Sequence, residues 1–263
     1  MRVLFVGDVT GTVGIQTACN GIAKIKKDRK IDFIIVNGEN AANKNGITEG
    51  IYRELRFGGA DVVTLGNHSF DRDEIQDFIR EEECLIRPYN YPKNTPGNGY
   101  VVCDMGREKV AVISLMGNVY LSTLTSPFEV IDELLAEIKA QECKTIIIDL
   151  HGEATSEKIA FGHYVDGKVS AVIGTHTHVQ TADEKILPKG TGYITDCGMT
   201  GPYESVLGVT TSLAVERFCT QLPVRFEHAQ GVGQFNGVLL EIEDGKTQKI
   251  ERVNFVEKDR KKG

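Results

Sequence analysis

The chain has 263 residues, of which 41% are hydrophobic and 25% charged, with a net charge of −7. That length holds one large core or two small ones, in a composition ordinary for a globular protein. The acidic balance excludes a surface built to coat long nucleic acid, which needs a basic face; a small anion stays within reach if a metal supplies the positive charge. The one dense basic run, Lys258 to Lys262, is expected to be solvated, with 258–263 a disordered tail. Six cysteines without C-x-x-C spacing fit reduced thiols in a cytoplasmic protein. The run of four apolar residues before Gly7, Val3 to Val6, is too short for a signal peptide. No run reaches the roughly 20 apolar residues of a membrane span, so no membrane contact is expected.

In chain order the residues repeat a rhythm of short apolar strand, loop and helix. RVLFVGD (Arg2 to Asp8) reads as a strand, followed by a helix over roughly Ile15 to Lys27. DFIIVNGEN (Asp32 to Asn40) is the next strand, with a helix near Thr48 to Phe57. ADVVTLGNH (Ala60 to His68) is the third, with a charged helix from about Asp71 to Glu82. Then come KVAVISL (Lys109 to Leu115), a long helix over Pro127 to Ala140, KTIIIDLHGE (Lys144 to Glu153) and SAVIGTHTH (Ser170 to His178). Near-continuous β-branched runs alternating with helices indicate buried strands in α/β architecture. The last third differs. GTGYITD, GQFNGVLLEIE and KTQKIERVNFVE read as antiparallel strands, with a turn at Glu243-Asp244-Gly245 between the last two. The expectation is one domain over 1–263, a two-sheet α/β sandwich with antiparallel strands at the C-terminus.

In open α/β folds ligands bind beyond the carboxyl ends of the strands. The strands here end in Gly7-Asp8, Gly38-Glu39-Asn40, Gly66-Asn67-His68, His151-Gly152 and His176-Thr177-His178. Each end carries a carboxylate, an amide or an imidazole, and glycine beside most of them lets the backbone turn and approach a ligand. Any one is ordinary turn chemistry; together they are not. In extended backbone residues two apart share a face, so His176 and His178 are expected to point to one spot, while neighbours Asn67 and His68 point apart. A mixed N/O set suits Fe, Mn or Zn better than Ca or Mg. It holds more ligands than one catalytic metal uses while keeping an open position, and fits two metals sharing a carboxylate.

The order Asp, Gly-acid-Asn, Gly-Asn-His, His, Gly-x-His-x-His over Asp8 to His178 resembles the calcineurin-like metallophosphoesterase signature. More narrowly, GDVTGTVG, NGENAANKNGIT, TLGNHSFD, RPYNYP and DCGMTGPYESVLG resemble the YmdB-type branch, a family of 2',3'-cyclic nucleotide phosphodiesterases, across nearly the whole length. Two positions depart from the wider superfamily. Asp8-Val9-Thr10 stands where most members have Asp-x-His, and Glu39 replaces the usual bridging aspartate; both are features of the YmdB branch. The resemblance implies the calcineurin-like sandwich and two transition-metal ions, Fe or Mn with Zn as the alternative. It places Asp8, Asn40 and His178 on one metal, Asn67, His151 and His176 on the other, and Glu39 between them. His68 would be no ligand but the general acid, with metal-bound hydroxide attacking in line.

The implied substrate is a small phosphodiester, 2',3'-cyclic nucleotides first, with little preference among bases since no motif reads a base edge. Asn43 in the NKNG loop, Arg87 and Asn90 in RPYNYP, and Thr200 in the glycine-rich loop after Asp196-Cys197 are candidates for gripping phosphate or base. For Arg87 a surface salt bridge fits equally well. That glycine-rich loop could line the site or support it from behind. His163 reads as a surface or capping residue and His228 as structural or at the pocket rim. Two rivals stand beside this reading. A zinc amidohydrolase also uses His-x-His, but on its first strand, whereas the first strand here ends in Asp8. A nucleotide-sensing regulatory protein on the same frame, with incidental turnover, is the second. Homo-oligomerisation stays open.

Overall fold

The computed structural model describes residues 1–258. Of the expected tail, all but Lys258 lies outside them. The first half alternates β1 (Arg2–Val6), α1 (Gly11–Arg29), β2 (Phe33–Asn37), α2 (Glu49–Phe57), β3 (Val62–Thr64), α3 (Ile75–Phe78) and β4 (Leu85–Ile86). A second series follows: β5 (Tyr100–Asp104), β6 (Lys109–Met116), α4 (Pro127–Ala140), β7 (Thr145–His151), α5 (Thr155–Tyr164), β8 (Ala171–Thr175), β9 (Lys185–Ile186) and β10 (Gly192–Ile194). The chain closes with β11 (Gly201–Pro202), α6 (Thr211–Thr220), β12 (Gly233–Glu243) and β13 (Lys246–Val256).

The strands form two sheets. One runs β11-β12-β1-β2-β3-β4, with β13 paired to β12, and the other β5-β6-β7-β8-β10-β9. Strands β1 to β4 are mutually parallel, as are β6, β7, β8 and β10, while β12 lies antiparallel to β1. Alternation decides what each face does. Val3 and Phe5 of β1 meet Val110, Val112, Ile147 and Ile173 of the opposite sheet in the central core, and Leu4 and Val6 face outward under α1 and α2. The outer face of the second sheet packs α4 and α5 through Ile131, Leu134, Ile138 and Phe161. Every residue of β2, β7 and β8 is buried, which is why their sequences show near-continuous apolar runs and no alternation.

The structure departs from the sequence reading in three places. The charged segment 71–82 forms only the single helical turn of α3 between turns, because Ile75, Phe78 and Ile79 are its only buried apolar anchors and clustered carboxylates flank them. GTGYITD is not part of the antiparallel C-terminal element: β10 runs parallel to β8 inside the second sheet. Strand β5, the two-residue strands β4, β9 and β11, and helix α6 were not anticipated; only Ala214 of α6 is buried, so it lacks the periodic apolar face that marks a helix. The C-terminal hairpin turns at Asp244 and Gly245, both at positive φ.

Candidate metal centre

The parallel strands of both sheets run out at one edge. The first sheet delivers Asp8 beyond β1, Glu39 and Asn40 beyond β2, and Asn67 beyond β3. The second delivers His151 at the end of β7, and His176 and His178 beyond β8. One sheet brings carboxylates and amides, Asn40 with its Nδ2 turned inward, and the other the imidazoles. Glu39 Oε1 lies 3.0 Å from His151 Nε2 and accepts from Asn40 Nδ2 at 3.1 Å. Asn40 Nδ2 is 3.2 Å from His178 Nε2. On the other side of Glu39, Asn67 Oδ1 is 2.8 Å and His176 Nδ1 3.0 Å from His151 Nε2. Asp8 Oδ2 accepts from the His176 backbone N–H at 3.3 Å, and its Oδ1 stands 4.0 Å from His151 Nδ1. Gly66 makes this crowding feasible, since a Cβ there would fall on the Glu39 carboxylate and the His151 ring.

Each imidazole is held by its outer nitrogen and turns the other inward. The Thr175 hydroxyl donates to Asp149 at 2.7 Å, so it accepts from His151 Nδ1 at 2.9 Å, leaving Nε2 facing Glu39. His178 Nδ1 donates to the Leu207 carbonyl at 3.1 Å, leaving Nε2 inward. His176 Nε2 meets Glu153 at 3.1 Å, leaving Nδ1 inward. An outer acceptor that fixes tautomer and ring is the usual support of a metal-binding histidine.

The cluster is electrostatically incomplete by itself. Burial pushes the Asp8 carboxyl up to about 6, against the pull of His178 and His151. Burial would raise Glu39 too, but the charge and hydrogen bond of His151 bring it down to about 2. Burial disfavours a charged His151, yet Glu39 and Asp8 hold it protonated up to about 9. His176 is driven to about 4 by burial and by the neighbouring His151 charge. A proton on His151 Nε2 thus does what a cation among these ligands would do. Asp8 Oδ1 is buried and has no hydrogen-bond partner among the described residues, a costly arrangement that a cation would relieve. The donor set fits a metal.

The His-x-His pair reaches the site by a different route from the one its spacing suggests. β8 ends at Thr175, and His176 (φ 103°) and His178 (φ 65°) both adopt the left-handed region that side-chain-bearing residues avoid. They do not share an extended face: His176 joins the His151 end and His178 the Asn40 end. A buried ion pair holds this turn. Lys158 Nζ, from α5, donates to Asp196 Oδ2 and to the Thr175 carbonyl, each at 2.9 Å, and Asp196 Oδ2 accepts from Thr177 N at 3.0 Å. The glycine-rich loop therefore supports the site from behind.

His68 sits beside the cluster, on a turn over 67–70 and not in extended backbone. Its N–H donates to Glu39 Oε2 at 3.2 Å, its Nδ1 meets Asp71 Oδ2 at 2.7 Å, and its Nε2 lies 3.2 Å from Asn45 Nδ2. Of the expected substrate contacts, three are corrected. Arg87 is buried and spends its guanidinium on the carbonyls of Pro88, Tyr89, Thr95 and Pro96. Asn90 is buried and ties Met116 to Thr125. The Thr200 hydroxyl is exchanged with the backbone of Asn236. Asn43 is exposed at the rim, His163 is exposed on α5, and His228 stands against Gly11.

Sequence reasoning flagged the NKNG loop that carries Asn45, though through Asn43, and missed Asp71, Glu153 and Asp149. Asp71 carried a signal, three residues after His68. So did Asp149, a lone carboxylate in a buried apolar strand, on the same face as His151.

The two-sheet sandwich, with its polar cluster at the strand ends, defines a calcineurin-like metallophosphoesterase fold. The model of the family described as YmdB-like protein matches residues 4–253, and the chain belongs to that family. It is 50% identical over 255 residues, covering 96% of either chain, to the Bacillus subtilis 2',3'-cyclic-nucleotide 2'-phosphodiesterase. A crystal structure of a novel phosphatase from Mycoplasma pneumoniae superposes with a TM-score of 0.92 at 35% identity, over 99% of this chain and 95% of that one. A 5'-nucleotidase precursor from Thermus thermophilus, at 13% identity and TM-score 0.55 over 97% of this chain and 54% of its own, shares the fold alone. Among the described residues no helix is long and apolar enough to cross a membrane.

Proposed function

We propose that the chain is a dinuclear-metal phosphodiesterase that hydrolyses small phosphodiesters, 2',3'-cyclic nucleotides foremost. The observation that carries this reading is the set of inward-facing nitrogens and oxygens around Glu39, with the partnerless Asp8 Oδ1 among them. Asp8, Asn40 and His178 would hold one ion and Asn67, His151 and His176 the other. Glu39 would bridge, since its Oε1 already stands between Asn40 and His151. The mixed N/O donors suit Fe or Mn, with Zn as the alternative. When bound, two such ions neutralise phosphoryl oxygens and acidify a water toward a pKa near 7.

The protein's own part in the reaction is positional and acid–base. His68 stands beside the cluster, with Asp71 on Nδ1 and Nε2 facing Asn45, and would donate from Nε2 the proton that the departing ribose oxygen needs. The five-membered cyclic phosphate is strained and its leaving oxygen stays tethered, so one acid suffices. The half-size relation to the nucleotidases concerns fold only, and the 50% identical Bacillus phosphodiesterase supports the substrate class. Elemental analysis of freshly purified protein tests the reading. About two transition-metal ions per chain are expected, with activity lost to a chelator and restored by Mn or Fe; a metal-free protein with full activity would contradict it.

A further inference from the structure

A cavity of about 310 Å³ opens between the loop carrying Asn43 and Lys44 and the segment carrying Arg225, Phe226, His228 and Gln230. That volume is at the lower end of small-molecule sites, roughly 300–1,000 Å³. Its position follows from contacts on both sides. His228 packs on Gly11, whose N–H donates to the Asn40 carbonyl at 3.0 Å, and the Asn40 side chain reaches His178. The other wall leads through Asn45 to His68 Nε2. The cavity shares no lining residue with the cluster or with His68, but it connects to the cluster through Gly11 and Asn40 and to His68 through Asn45, the neighbour of Lys44. We propose that it seats the nucleobase of the substrate, with Phe226 as the stacking platform; this rests on the phosphodiesterase reading above.

The lining chemistry fits a base. Phe226 remains 47% exposed, on a stretch without helix or strand, and neither core cluster beneath the two helical layers nor the central core includes it. Asn43 is exposed and offers both a donor and an acceptor at the mouth. Lys44 and Arg225 offset the acidity of Glu227 in the same wall, so an anionic nucleotide meets no net repulsion. A cyclic phosphate held at the cluster leaves its base one ribose away, and this cavity, reached past Asn40 and Asn45, would receive it. Stacking accepts any base, because every base has a π face. That agrees with a sequence carrying no base-reading motif.

The test compares wild type, Phe226→Ala and Phe226→Tyr on 2',3'-cyclic AMP and on a base-free methyl riboside 2',3'-cyclic phosphate. Phe226 is half exposed, so Phe226→Ala should melt with wild type. The variant is expected to raise KM for cyclic AMP by roughly 5- to 150-fold, the range for one lost base–aromatic stack, with kcat kept. Phe226→Tyr should restore KM, and the base-free sugar should show no difference between wild type and variants. An unchanged KM for cyclic AMP in Phe226→Ala overturns the proposal. If wild type hydrolyses neither compound, the functional reading has failed; calorimetric titration with AMP then judges the cavity alone. Weaker AMP binding by Phe226→Ala supports it, and equal binding overturns it.

Discussion

Asn67 and His68 are adjacent yet, in the proposed reaction, would serve different ends of it. Asn67 Oδ1 faces His151 inside the cluster, whereas His68 leans on Asp71 outside it. Asn67→Ala should lose metal occupancy along with rate. His68→Ala should keep the metals and lose rate by about 10²–10⁴-fold, the usual range for a general acid. Metal analysis beside the kinetics separates them, and a metal-depleted His68→Ala would make His68 a ligand. At this scale the sequence was informative about which residues meet and poor about how. Motif order pointed to every member of the cluster, but the spacing argument assumed extended backbone at His176 and His178. Two left-handed residues are instead held by a buried ion pair that is distant in sequence. Arg87 misled for a related reason: a guanidinium that suits phosphate also suits carbonyls, and only tertiary structure decides which it meets.

Helix α5 illustrates what the elements contribute. Its Lys158 is fully buried and clamps the end of β8 to Asp196 beyond β10, so the geometry of the His-x-His turn depends on a residue that touches no substrate. Lys158→Met leaves a buried carboxylate without its cation. A loss of roughly 3–5 kcal/mol of stability is expected, read by denaturant unfolding, with metal affinity falling as the turn relaxes. A melting curve like that of wild type would show the clamp to be dispensable. The main strands were legible because burial on both faces leaves β-branched runs. α6 escaped because a helix with one buried residue has no periodic pattern, and α3 was overread because charge density was mistaken for helical length.

For the whole molecule, pH and metal are linked through the cluster. Asp8 is raised to about 6 and His151 to about 9, so in stripped protein what their protons contribute is complete below about 3.8 and 6.5 and is lost as pH rises through 6 and 9. Glu39, lowered to about 2, contributes above about 4.5 and loses its share only as pH falls toward 2. Cations bound as proposed would replace those protons. The melting-temperature gap between metal-loaded and chelator-stripped protein should therefore widen from pH 6 to pH 9, and a constant gap would contradict the linkage. The central claim, a phosphodiesterase for strained cyclic nucleotides, is tested most directly by one kinetic ratio. On Mn-reconstituted protein, kcat/KM for 2',3'-cyclic AMP should far exceed that for 3'-AMP, whose extra charge and free geometry suit this site less. A clear preference for the monoester would make the protein a phosphatase and contradict the account.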